Sequence, residues 1–285
     1  MKCYLAVVAP KSNSNVYVDL LEVALKSARL NTTLELCVLY DGPKNHRSYR
    51  LLNKYGVQII RHKFSHEKEI YRLFDHDFLG RPMDPKKIVS AFMRMDIPFV
   101  EKKAEYVLYV DLDVLFTRDI REEDLPKPAY LAACGEFSPA QDMSQYFNAG
   151  VMVLNVRNMR RRCKQIFKDL ENGNVVRGFD QGYLNKYCLA DRTWLPVEYN
   201  WKPYWGINPE AAIIHYHGMK PGGTNEGSGF GMSDRVLANT TRSGANLAGY
   251  AYYYALYFQM LGRRRAGNWE EWLARLLGKA MDLRS

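Results

Sequence analysis

The chain is 285 residues long, 47 % hydrophobic and 25 % charged. That length carries one large domain or two small ones, and the composition is that of a folded chain whose core needs no disulfide or structural metal, which excludes a stapled miniprotein. A formal charge of +9, from 40 Lys and Arg against 31 Asp and Glu, fits an anionic partner: nucleic acid, a phospholipid surface or a phosphorylated metabolite.

Residues 3–8 read as a first strand, and nothing in MKCYLAVVAPKSN has the apolar run and cleavage site of a secretion signal. Residues 17–30 repeat apolar positions at helical spacing, with Leu20, Leu21, Ala24, Leu25 and Ala28 on one side. A second strand, 34–40, closes on the turn Asp41-Gly42-Pro43; a helix at 48–55 and a third strand at 57–60 follow. This alternation predicts an α/β domain on a largely parallel sheet. Residues 62–87 are polar and aromatic, broken by Gly80, Pro82 and Pro85, and read as an excursion over the sheet edge. Helical character resumes over 87–98 and feeds a strand at 106–110. Further strands are expected at 130–134, 150–155 and 211–215, with a helix at 179–187.

Near the end, GYAYYYALYFQML is nearly uncharged but too short and tyrosine-rich for a membrane span. Beyond Arg263, Arg264 and Arg265, the residues Trp269, Trp272, Leu273, Leu276, Leu277, Ala280 and Met281 recur at three and four, an amphipathic helix. The five cysteines, Cys3, Cys37, Cys134, Cys163 and Cys188, have no paired spacing and read as buried thiols of a reducing compartment.

The strand at 106–110 stops at two acids, Asp111 and Asp113. In parallel α/β folds ligands bind beyond the carboxyl ends of strands. Residues two apart in a strand point the same way, so both carboxylates are expected to converge on one point. Crowded carboxylates repel unless protonated or bridged by a cation, and oxygen ligands suit Mg²⁺ or Mn²⁺; an added imidazole tilts the choice to Mn²⁺. A solvated turn accounts for the same pair. His215 ends a late apolar strand in AAIIHYHGMKPGG and is a second ligand candidate, while a hydrogen-bonded core histidine is its plain alternative. His217 reads as a supporting or surface residue, and Lys220 as a group that can neutralise phosphate.

Together these segments resemble the retaining, nucleotide-sugar-dependent glycosyltransferases of the glycogenin and lipopolysaccharide galactosyltransferase group, a family 8-like match over residues 3–221. VLYVDLDVLFTRDI is similar to that group's acid-pair strand, YFNAGVMVLNVRNM to its asparagine–small–glycine strand, FDQGYLNKY to its aspartate–glutamine helix start, and IIHYHGMKP to its late histidine segment. The resemblance implies a GT-A-like fold, a mostly parallel mixed central sheet flanked by helices. It implies that Asp113, Asp111 and His215 hold Mn²⁺, with Mg²⁺ as the alternative, and that Asp111 also touches the ribose side. Lys220 would hold the diphosphate, Arg94 would sit near the phosphates and donor sugar, and Asn148, Asp180 and Gln181 would line the sugar pocket, Gln181 nearest the anomeric carbon. The chain departs from the group in two places. VVAPKSNSNVY carries no acid after the first strand to grip the base, where Asn13 or Asn15 offers an amide instead. Lys220 also lies five residues after His215 rather than six, and Gly222 rather than tryptophan follows Pro221.

The expected activity is metal-dependent transfer of a hexosyl group from a nucleoside-diphosphate sugar, a UDP-sugar by resemblance, to a glycan or lipid-linked acceptor hydroxyl with retention. The alternatives are a nucleotide-sugar-binding protein of the same fold that has lost catalysis, and a metal-dependent phosphatase or nucleotidyltransferase. Residues 1–240 are expected to form the catalytic domain and 241–285 a helical extension. From Leu261 to Ser285 six basic and three acidic residues stand around the Trp-bearing stripe, which fits an anionic membrane surface on the cytoplasmic side; a helix packed on its own domain or on a partner chain uses the same stripe. Arg160, Arg161 and Arg162 come with no base-reading module and read as a solvated helix face, so no nucleic acid is expected.

Overall fold

A computed structural model of the chain describes residues 1–9, 15–74, 84–139, 145–221 and 246–262. The elements begin with β1 (Lys2–Val8), α1 (Asn15–Asn31), β2 (Glu35–Asp41), α2 (Arg47–Lys54), β3 (Gln58–Arg61) and α3 (Glu67–Leu73). Next come α4 (Pro85–Phe92), α5 (Ile97–Val100), β4 (Tyr106–Val110), β5 (Val114–Phe116), β6 (Leu131–Gly135) and β7 (Phe147–Asn155). The last are α6 (Val156–Glu171), α7 (Phe179–Cys188), β8 (Thr193–Trp194), β9 (Ile213–His215) and α8 (Leu247–Leu261). The chain divides into two compact units: Met1–Asn13, Thr33–Leu112 and Ile120–Pro196 form one, and Ser14–Thr32, Asp113–Asp119 and Val197–Ser285 the other.

The first unit is built on a seven-stranded sheet in the order β3-β2-β1-β4-β7-β6-β8. β1 pairs parallel with β2 and β4, β2 with β3, and β6 with β8, whereas β7 runs antiparallel to both β4 and β6. The sheet is thus mixed and mostly parallel, as expected. Strand order reverses at β1, with β2 on one side and β4 on the other, and such a reversal opens a crevice at the carboxyl ends. Asp111 is the first residue beyond β4.

The strands are near-continuous apolar runs because both faces are closed off from water. Tyr4, Ala6, Cys37, Leu39, Val107 and Tyr109 share one core with Phe92 of α4, Phe167 of α6 and Tyr183 of α7. Cys3, Leu5, Leu36, Val38 and Leu108, pointing the other way, are buried as well. Full burial of each such side chain stabilises by roughly 1.5–3 kcal/mol. Asn155 ends β7 and caps α6, its Oδ1 accepting from Asn158 N at 3.1 Å, so strand passes straight into helix. All five cysteines are buried and unbridged.

Part of the polar excursion at 62–87 is the helix α3, which packs against α4 and α6. One expectation changes here: the basic cluster is not simply a solvated face. Arg160 donates to the carbonyls of Pro98 at 2.5 Å and Glu101 at 3.0 Å, and Arg162 lies 4.4 Å over the Tyr130 ring and pairs with Asp191. Both tie α6 down.

The second unit has its own core, in which Leu20 and Val23 of α1 meet Leu115, Ile214, Tyr216 and the tyrosines of α8. β5 and β9 pair antiparallel, Val114 opposite His215. Ser27 Oγ of α1 accepts from Phe116 N at 3.1 Å and Asn31 Nδ2 donates to Phe116 O at 3.0 Å, fastening α1 to β5. The tyrosine-rich segment is the buried helix α8. A Cβ on Gly249 would stand 2.1 Å from Pro203 O, so only glycine lets α8 approach the 3-10 turn at Pro203–Trp205 so closely. Among the described residues no helix is long and apolar enough to cross a membrane.

Candidate functional site

In the first unit, β4 delivers Asp111, whose N–H donates to Gly150 O of β7 at 2.7 Å. Its Oδ1 accepts from Tyr109 Oη at 2.6 Å and from Arg94 Nη2 at 2.8 Å. Arg94 follows α4 and is buried. Its Nη1 donates to Ala149 O at 2.5 Å and its Nε to Ala91 O at 2.8 Å, with Asp180 Oδ2 3.2 Å from Nε. The guanidinium is 4.6 Å over the Tyr109 ring. A planar fork with every nitrogen engaged is a rigid bracket between two carboxylates. Burial pushes the Asp180 carboxyl above the usual range, Arg94 opposing and Asp111 adding to the rise.

Asp180 and Gln181 begin α7, entered through a left-handed pair: Gly178 at φ +94° and Phe179 at φ +53°. Gln181 Oε1 accepts from Ala149 N at 2.8 Å, and Asn148 Oδ1 from Gly150 N at 3.0 Å. Both carboxamides also meet Glu136, just beyond β6: Asn148 Nδ2 donates to Glu136 Oε2 at 2.7 Å and Gln181 Nε2 to the same oxygen at 3.1 Å. Glu136 was missed in the sequence. It obeys the rule that drew attention to Asp111, for β6 runs parallel to β4 through the shared antiparallel partner β7.

In the second unit, Asp113 opens β5 and His215 closes β9, with Tyr216 N donating to Asp113 O at 2.8 Å. Both side chains are buried, and His215 Nε2 lies 3.5 Å from Asp113 Oδ1. The other ring nitrogen, Nδ1, is 2.9 Å from Oδ1 of the fully buried Asn200. A donor at Nδ1 leaves Nε2 of the neutral ring as the lone-pair side, turned to Asp113. Lys220 pairs with Asp113 Oδ2 and donates to Tyr216 O at 2.8 Å. Burial alone would raise the Asp113 carboxyl, but the Lys220 ammonium, joined by His215 when its ring is protonated, outweighs it and holds the group far below the usual range.

The two acids do not share a strand, contrary to the sequence reading. β4 ends at Val110, the chain bends, and Asp113 leads into a different sheet. Only Leu112 separates them along the chain, and Asp113 is paired with His215. Two carboxylates and an imidazole with its second nitrogen engaged make a donor set that fits a divalent cation. His217 Nδ1 is 3.2 Å from Tyr204 Oη. The side chains of Asn13 and Asn15, and the stripe over 269–281, lie outside the described residues.

No curated protein matches the chain. Among solved structures it is similar to the galactosyltransferase LgtC in complex with donor and acceptor sugar analogs, with TM-score 0.57 and 17 % identity over 85 % of this chain and 96 % of that one. It is similar to the apo form of the glycosyltransferase GlyE of Streptococcus pneumoniae TIGR4, with TM-score 0.57 and 19 % identity over 98 % of this chain and 64 % of that one. Mouse xyloside xylosyltransferase 1 aligns with TM-score 0.54 and 15 % identity over 76 % of this chain and 97 % of that one. At such identities the likeness establishes the fold. The sequence pattern of glycosyl transferase family 8 matches residues 11–224, a span that holds both acids and the late histidine. The chain belongs to glycosyl transferase family 8 and is a metal-dependent glycosyltransferase.

Proposed function

We propose that the enzyme moves a hexosyl group from a UDP-sugar to a hydroxyl of a glycan or lipid-linked saccharide, with retention at the anomeric carbon. The observation that carries this reading is the buried Asp113–His215 pair with Asp111 two residues upstream. Asp111, Asp113 and His215 Nε2 would hold Mn²⁺, the imidazole favouring it over Mg²⁺. When bound, the ion supplies Lewis-acid stabilisation of charge growing on the departing diphosphate.

The remaining roles belong to side chains. Lys220 turns its ammonium to the diphosphate, adding charge-assisted hydrogen bonds. Arg94 fixes Asp111 toward the ribose side and Asp180 toward the sugar. Asn148, Asp180 and Gln181 line the sugar pocket. An amide is a weak nucleophile, and the Gln181 carbonyl is already held by Ala149 N, so Gln181 orients the sugar instead of attacking it. Glycosidases flank their bond with an acid and a second carboxylate; here Asp180 is paired with Arg94, which supports a positioning role.

The test is a donor-hydrolysis screen across nucleotide-sugars with and without Mn²⁺. Release of free sugar and nucleoside diphosphate from one donor, dependent on the ion, is the expected result. Tight donor binding with no release across a broad acceptor panel would instead indicate a binding protein, and release of phosphate or pyrophosphate a different reaction class.

Residues 1–240 are taken as the catalytic part and 241–285 as an extension, of which α8 packs with α1. The Trp-bearing basic stripe at 269–281 would bring the enzyme to anionic lipid on the cytoplasmic face, close to a lipid-linked acceptor. Truncation after Leu261 is expected to reduce sedimentation with anionic vesicles; unchanged sedimentation would defeat the lipid reading.

A further inference from the structure

We propose that Glu136 is a positioning residue of the transfer reaction: it clamps the carboxamides of Asn148 and Gln181 in one orientation and places a negative charge behind them. This rests on the reading above, in which those two amides line the sugar pocket.

Glu136 stands directly after β6, buried, its N–H donating to Tyr146 O at 2.8 Å. One oxygen, Oε2, accepts from both amide nitrogens, at 2.7 Å from Asn148 and 3.1 Å from Gln181. The opposite ends of the amides are fixed by the β7 backbone, through Gly150 N at 3.0 Å and Ala149 N at 2.8 Å. Rotating either amide by half a turn would set its carbonyl against the carboxylate and its NH₂ against a backbone N–H. Each amide therefore has a single orientation, imposed by a donor at one end and an anion at the other.

The charge has a second consequence. A carboxylate polarises both amides, so electron density is raised on the carbonyl side where positive charge develops on an oxocarbenium-like sugar. Such a contribution is larger in the transition state than in the bound donor and falls on kcat rather than KM.

The experiment compares Glu136→Ala and Glu136→Gln in the full chain. Hydrogen exchange of the Asn148 and Gln181 carboxamides is followed by NMR. Alongside it, Mn²⁺-dependent hydrolysis is measured for the nucleotide-sugar that the wild type turns over fastest. Removing the clamp in E136A is expected to speed carboxamide exchange at least about tenfold and lower kcat about 10–100-fold, with donor KM within about threefold. E136Q retains an acceptor oxygen and should restore exchange to near wild type, yet keep a kcat deficit of about tenfold because the charge is gone. Unchanged exchange in E136A, or E136A kcat within about twofold of wild type, overturns the proposal. If E136A does not fold, E136Q decides, and wild-type kcat there is equally fatal. A normal E136Q beside a crippled Gln181→Ala sinks this proposal alone. If the wild type hydrolyses no donor, the sugar-pocket reading fails, and the exchange measurement still decides the clamp.

Discussion

Asn200 Oδ1 and His215 Nδ1 are 2.9 Å apart, and neither side chain is more than 2 % exposed. The amide accepts the imidazole N–H and thereby points the lone pair of Nε2 toward Asp113. Outer partners of this kind typically alter metal affinity by about 10–100-fold. Asn200→Ala is expected to weaken Mn²⁺ binding by that factor, read by titration calorimetry or electron paramagnetic resonance. Affinity equal to wild type in a folded variant would remove Asn200 from the site.

Asp113→Asn keeps the size of the side chain and removes its charge. Mn²⁺ binding should be lost and donor turnover should fall at least about a hundredfold, near 3 kcal/mol of transition-state stabilisation. Circular dichroism should be unchanged, and turnover that persists with full metal dependence would be incompatible with the assigned ligand.

Glu101 predicts how stability responds to acid. Burial alone would raise its carboxyl, but the N–H groups of Ala104 and Lys103, the Tyr4 hydroxyl and Lys2 bring it down to about 2. A carboxyl whose folded pKa is depressed stabilises above its unfolded value, here 4.5, and that contribution disappears as pH falls toward 2. A depression from 4.5 to about 2 corresponds to about 3 kcal/mol. Urea unfolding of Glu101→Gln should show that loss at pH 7 and a flatter pH dependence below 4.5 than wild type. Parallel curves for the two proteins would contradict it.

Gly249→Ala places a methyl against the Pro203 carbonyl, with no room for it at 2.1 Å. Overpacking against backbone costs about 1–3 kcal/mol. A lower melting temperature is the expected result, and a melt equal to wild type would mean that α8 packs differently.

Much of this was legible in the sequence because each signal was local. The strand Tyr106–Val110 was readable to the residue from its β-formers and the acids that follow. The start of α7 at Phe179 and the end of β9 at His215 were equally plain. What escaped depends on tertiary contact. The bend between Asp111 and Asp113 leaves no mark in VDLDV, where the alternation continues through Leu112. Arg94 was placed by resemblance near the phosphates and donor sugar, and its engagement by Asp111, Asp180 and two carbonyls appears only once α4 is set against β4. Asn200 and its neighbours carry no periodic pattern that points to His215. The tyrosines of α8 could not be assigned to a core until Tyr216 was placed among them.

Gly178 and Phe179 bring the main chain into α7 through left-handed geometry, which costs a non-glycine residue about 1–2 kcal/mol. Asp180 and Gln181 therefore inherit their aim from the peptide path and not from rotamer choice. Since a helix turns about 100° per residue, a single insertion or deletion between Arg177 and Asp180 would swing both groups away from β7. At Gly178, φ +94°, a Cβ would also stand 2.6 Å from Tyr146 Oη, so the aim depends on the length of this corner and on its glycine.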